Sequence, residues 1–105
     1  MKQFWNWKNY QVAWQVEETD HNSEIAILLI HGFGACKDHW RFNQKYISLI
    51  AQCYALDLVG FGDSSQPNSQ ILYEKKTADN FNYSFDNWTQ QVYDFCNEIV
   101  KKPVL

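Results

Sequence analysis

Two apolar runs that each end abruptly at a glycine-rich turn constrain this chain most. Ile25–Ile30 (IAILLI) breaks at Gly32 and Gly34, and Cys53–Leu58 (CYALDL) breaks at Gly60 and Gly62. A run that is apolar on both faces reads as a central parallel strand covered by helices on both sides. A strand ending in Gly-x-Gly brings backbone N–H groups close to the space above the sheet edge, where open α/β sheets build their sites.

The remaining elements fit around these two. Phe4–Trp7 and Tyr10–Glu17 read as short strands. In the second, Tyr10, Val12, Trp14 and Val16 alternate with Gln11, Ala13, Gln15 and Glu17, the period of an antiparallel strand with one polar face. A helix is expected from about Asp38 to Ala51, with Trp40, Ile47 and Ile50 on its apolar stripe. A second is expected over Phe85–Val100, with Phe85, Trp88, Val92, Phe95 and Ile99 on one face. Ser84 suits its N-cap and Pro103 forbids its continuation. Residues 63–83 are polar and aperiodic, too long for an idle connection. The order is β-β-β-α-β-loop-α-β: an α/β class, with a mostly parallel sheet and antiparallel lead-in strands.

A chain of 105 residues forms one domain at most. At 46% hydrophobic and 17% aromatic residues it is globular rather than disordered. A net charge of -3, with no basic stripe, argues against a nucleic-acid partner. The N-terminus lacks an apolar signal segment, and Ile25–Ile30 is far short of a membrane span, so a cytoplasmic location without a transmembrane segment is expected. Cys36, Cys53 and Cys96 are too widely spaced for a zinc motif; no metal and no cofactor is expected, and the thiols read as reduced.

The backbone donors of the first glycine turn could hold a phosphate or an oxyanion. The phosphate reading fails in detail: Lys37 stands where a dinucleotide fingerprint needs its third glycine, and GxxxxGK is absent. The oxyanion reading fits, because nucleophile-elbow esterases take one donor from the loop after their third strand. That loop here is His31-Gly32-Phe33-Gly34.

Three motifs in order, HGFG at His31–Gly34, HW at His39-Trp40 and DLVGFGDS at Asp57–Ser64, resemble the α/β-hydrolase-fold superfamily in its esterase and epoxide-hydrolase-like branch. The resemblance runs from about Trp5 to Leu105 and covers only the N-terminal portion of that fold. It therefore implies a single incomplete domain over residues 1–105, cut within the family's fifth strand. It implies that the Phe33 backbone N–H lines the oxyanion hole and that His31, Gly32 and Gly34 shape the loop. Asp57, Gly60, Gly62 and Ser64 match the turn that forms the site wall. Trp40 matches an aromatic near the first helix.

Under the resemblance His31 is structural rather than a catalytic base. Asp57 is read as binding turn amides, Cys36 as inert, and Trp5, Trp7 and Trp14 as packing. The nucleophile, acid and base of the fold lie beyond this stretch, since no serine here sits in G-x-S-x-G. The implied function is a serine hydrolase cleaving a small-molecule ester. Within the fold, an epoxide hydrolase or dehalogenase-type enzyme is the neighbouring reading, disfavoured because many of those carry HG-x-Pro where Gly34 stands here. A truncated, non-catalytic remnant is the alternative. Two expectations accompany the truncated reading: these 105 residues alone show no esterase activity, and Ile25–Ile30 is left as an open, aggregation-prone sheet edge.

Overall fold

The computed structural model describes residues 2–67 and 81–105. The N-terminal hairpin comes from β1 (Lys2–Trp7) and β2 (Tyr10–Glu17), paired antiparallel with Trp7 opposite Tyr10. Lys8 and Asn9 form its two-residue turn, both with positive φ (49° and 67°), the backbone twist that two-residue hairpin loops favour. β3 (Ile27–Ile30) and β4 (Cys53–Leu56) pair parallel, and β2 pairs antiparallel with β4. The sheet order is β1-β2-β4-β3. The lead-in strands are thus antiparallel, as the alternation in Tyr10–Glu17 indicates.

Register sorts the side chains between the faces. Val12, Trp14, Tyr54 and Leu56 share one face, and the hydrophobic core lies there under α2 (Phe85–Phe95). Phe95 is fully buried and meets the rings of Trp5, Trp14 and Tyr54 edge-on at 5.6–6.1 Å. The opposite face carries Ala13, Cys53 and Ala55, small enough for α1 (Arg41–Ile47) to approach. A single 3₁₀ turn, Lys37–Trp40, leads into α1.

Several expectations are corrected. The first helix is split into that 3₁₀ turn and the short α1, and Ile50 lies past its end, 62% exposed. The buried α1 side chain is Gln44, whose amide donates to the Cys53 carbonyl at 2.8 Å and accepts from Gln15 Nε2 at 2.7 Å. Those bonds satisfy a polar group that burial alone would penalise. β3 starts at Ile27, and Ile25 and Ile30 are each 43% exposed, so the run is not covered on both faces by the described residues. Phe85 is exposed at the start of α2, while Gln91, absent from the expected stripe, is fully buried. α2 ends at Phe95 and widens into a π-helical turn over Cys96–Val100, closed by the Lys101 N–H donating to the Cys96 carbonyl at 2.8 Å. Most of the aperiodic stretch, residues 68–80, lies outside the described residues.

The β3 edge is not open along its whole length. Lys101 takes a left-handed φ of 60° and turns the chain, and Pro103–Leu105 then runs beside β3. Ala26 N–H donates to the Pro103 carbonyl at 2.9 Å, Leu105 N–H to Ala26 at 2.9 Å, and Leu28 N–H to Leu105 at 3.1 Å. Those bonds satisfy backbone groups that the sequence alone would leave free for intermolecular pairing.

Ser84 caps α2: its hydroxyl accepts from the Asn87 N–H at 3.3 Å, with Asp86 in the first turn. Ser84→Ala is expected to destabilise the fold by about 1 kcal/mol, read as a lower midpoint in urea unfolding.

Candidate active site

The loop after β3 and the turn after β4 come together at the ends of adjacent parallel strands. His31 is buried, and both ring nitrogens are occupied. Nε2 accepts the Leu58 N–H at 3.0 Å, so the ring hydrogen sits on Nδ1 and donates to the Gly32 carbonyl at 2.7 Å. With both nitrogens engaged by main chain, His31 has none free to take a proton from a nucleophile.

That bond has a second effect. The Gly32 carbonyl also accepts the Ala35 N–H at 3.1 Å. The Gly32–Phe33 peptide is planar and trans, so fixing its C=O on one side fixes the Phe33 N–H on the other. Among the described residues the Phe33 N–H makes no hydrogen bond. The loop therefore presents one immobilised, unpaired donor, the element an oxyanion hole requires. Gly34 closes the turn at φ +79°, which proline, locked near −65°, cannot adopt.

A cleft of about 380 Å³ adjoins this loop. His31, Gly32 and Phe33 line one side, Leu58 and Phe61 the second, and α2 closes it with Phe85, Trp88, Thr89 and Val92. Phe61 is the hinge of the aromatic wall, meeting Phe33 at 5.3 Å, His31 at 5.4 Å and Trp88 at 5.9 Å. Gly34, Asp57, Gly60, Gly62 and Ser64 stand behind the lining.

Those residues hold the wall in place. Ser64 Oγ donates to the Asp57 carbonyl at 2.7 Å and accepts the Ala13 N–H at 2.9 Å, tying the turn to β2. Gln91 clamps it from α2, accepting the Val59 N–H at 3.0 Å and donating to the Asp57 carbonyl at 3.1 Å. Gly62 has φ +55°, and a Cβ there would run into the Asp57 carboxylate.

Asp57 is fully buried and paired with Lys37, 1% exposed. Its Oδ1 accepts the Lys37 N–H at 2.6 Å; its Oδ2 accepts Lys37 Nζ at 3.0 Å and the Asp63 N–H at 2.8 Å. Lys37 Nζ also donates to Asp63 Oδ2 at 2.9 Å. Sequence reasoning treated Lys37 only as a failed glycine, and a lone lysine beside a glycine turn carries no signal of burial. Gln91 was missed because period alone assigns buried helix positions to apolar residues.

Burial works against the Lys37 ammonium, but hydrogen bonds to Asp63 and Asp57 outweigh it and raise its pKa above 10.5. Burial, with Glu17 nearby, pushes the Cys53 thiol up to about 11. Both folded-state values exceed the unfolded ones, so both contributions are complete at neutral pH and lost as pH rises. Stability is expected to hold through neutrality and to fall from pH 9.0, where unfolded Cys53 ionises, towards about 11. Loss of the Lys37 contribution follows above 10.5. Urea midpoints measured against pH check this, and Cys53→Ala should flatten the first part of the decline.

A hydrogen-bonded loop with an unpaired amide, set at the ends of adjacent parallel strands beside an apolar cleft, is where open α/β sheets build their sites. Residues 25–104 match the family model of the alpha/beta hydrolase fold, and the chain belongs to that family. It is 36% identical over 70 residues to 1-acylglycerol-3-phosphate O-acyltransferase ABHD5 of Rattus norvegicus, covering 65% of this chain and 20% of that protein. It is 32% identical over 60 residues to the (lyso)-N-acylphosphatidylethanolamine lipase of Homo sapiens, covering 56% and 18%. Among solved structures, a bacterial membrane phospholipase A superposes with TM-score 0.74 at 27% identity, over 94% of this chain and 28% of that one. The Cif epoxide hydrolase of Acinetobacter nosocomialis does so with TM-score 0.70 at 18% identity, over 94% and 26%. The chain thus spans about a fifth of the length of these curated relatives. Among the described residues, no helix is long and apolar enough to cross a membrane.

Proposed function

We propose that the protein is a serine hydrolase of the α/β fold that cleaves an ester, with the Phe33 N–H supplying one donor of the oxyanion hole. The observation that carries this reading is the Gly32–Phe33 peptide, pinned through its carbonyl with its N–H unpaired. In the reaction, a serine attacks the ester carbonyl, a histidine takes the serine proton and delivers it to the leaving alcohol, and water then releases the acyl group. Phe33 N–H holds the oxygen as it gains charge. No serine of these 105 residues stands in the G-x-S-x-G elbow that carries the nucleophile of this fold.

The loop supports an ester-type member over the HG-x-Pro enzymes, because proline cannot take the φ of Gly34. Among the described residues the cleft is lined mainly by apolar side chains and by no Asp, Glu, Lys or Arg, which suits an uncharged small-molecule ester. The same reading places the enzyme in a reducing cytoplasm, where free Cys36, Cys53 and Cys96 stay thiols.

The test uses the protein produced from its natural gene. A serine-directed fluorophosphonate should label it, and an activated ester should be turned over, with labelling abolishing turnover. Absence of both would leave the non-catalytic alternative. Acyl transfer to an added alcohol in preference to water would assign it instead to transferase chemistry.

A further inference from the structure

The loop that carries the Phe33 amide is anchored at both ends to two consecutive residues after β4. At its near end, His31 accepts the Leu58 N–H. At its far end, Lys37 is held by Asp57 twice, through its main-chain N–H at 2.6 Å and its ammonium at 3.0 Å. Gly32–Cys36 is therefore a short span between clamps on Asp57 and Leu58. The far clamp is buried, so it is not weakened by water or salt as a surface pair would be.

We propose that Lys37 is a positioning residue for the oxyanion donor, its ion pair with Asp57 and Asp63 acting as a latch that sets where the Phe33 N–H points. The proposal rests on the serine-hydrolase reading for its catalytic consequence, but not for the geometry of the latch. The ammonium spans from Asp57, at the end of β4, to Asp63, in the turn that carries Phe61. One side chain thus closes the donor loop against the wall of the cleft. Asp57 needs the bare Gly62 beside it for this arrangement, since a Cβ there would meet its carboxylate. Releasing the latch frees the far end of the loop, and the Ala35 N–H···O=C Gly32 bond that orients the peptide plane loses its support.

The experiment compares the natural protein with Lys37→Met. Expected are a kcat for an activated ester about 10- to 100-fold lower and an unchanged KM, because a displaced donor fails only when charge develops. A boronic acid, whose tetrahedral adduct carries the oxyanion charge, should lose affinity in step with kcat, while a neutral amide analogue binds as before. A purely structural lysine would move both ligands together. By NMR, exchange of the Ala35 amide should accelerate about tenfold or more while that of Ala55 in β4 stays protected. Unchanged Ala35 exchange in folded Lys37→Met overturns the latch. So does unchanged kcat and boronate affinity in an active enzyme. If the wild type neither hydrolyses esters nor reacts with fluorophosphonate, the functional reading fails, and Ala35 exchange alone decides the latch. If Lys37→Met does not fold, Asp63→Asn decides it from the half-exposed side of the pair. Acceleration at Ala35 there supports the latch, and no acceleration overturns it.

Discussion

Phe33→Pro is expected to lower kcat of the natural protein about 10²–10³-fold, the cost typical of removing one oxyanion donor. Phe33→Leu should leave kcat near wild type. The contrast follows from the structure. The Phe33 ring is 90% exposed and only brushes Phe61 edge-on, so its loss uncovers little. Its N–H makes no hydrogen bond within the fold, so proline removes a donor from the site without breaking a bond in the scaffold. The φ of Phe33 does not lie in the left-handed region that would exclude proline outright. Far-ultraviolet circular dichroism should show both variants folded. Equal kcat for Phe33→Pro and wild type would remove Phe33 from the oxyanion hole.

Phe95→Ala is expected to destabilise the fold by about 3–5 kcal/mol, a large share of the margin of a small domain. The ring is completely buried between Trp5, Trp14 and Tyr54, so truncation leaves a cavity walled by large aromatics that cannot collapse into it. Phe85→Ala, ten residues earlier on the same apolar stripe, should change stability by less than about 0.5 kcal/mol, because Phe85 is 85% exposed. Urea unfolding of the two variants side by side measures the difference. A comparable loss in both would show that α2 packs through a different face.

The contrast between Phe85 and Phe95 shows how far pattern reading reaches. Helical period puts both residues on one stripe, and it does so correctly. It does not say where along that stripe the helix leaves the sheet. Ile50 fails in the same way, because the chain turns out of α1 before reaching it. Period also assigns interiors to apolar residues, so Gln44 and Gln91 were invisible. Each is buried because backbone groups of the sheet or its loops happen to lie within hydrogen-bond reach. The lead-in hairpin was legible because alternation is a local property, and Ser84 because capping is satisfied within one turn.

The site divides along the same line. The glycines at 32, 34, 60 and 62 are chemical statements about backbone, and they mark from sequence where strands must end and where main chain can approach a ligand. Family membership is legible in the same motifs, since they specify spacing along one chain. The partners of His31 and Lys37 are not. Leu58 lies 27 residues from His31 and Asp57 lies 20 from Lys37, and only the parallel pairing of β3 with β4 sets their ends side by side. The sequence by itself determined the order of elements, the turns and the identity of the loop that offers a donor. The tertiary structure alone decided that His31 carries its hydrogen on Nδ1 and that Lys37 is buried against Asp57. Hydrogen-bond polarity and desolvation depend on which groups meet in space, and separation along the chain does not encode that.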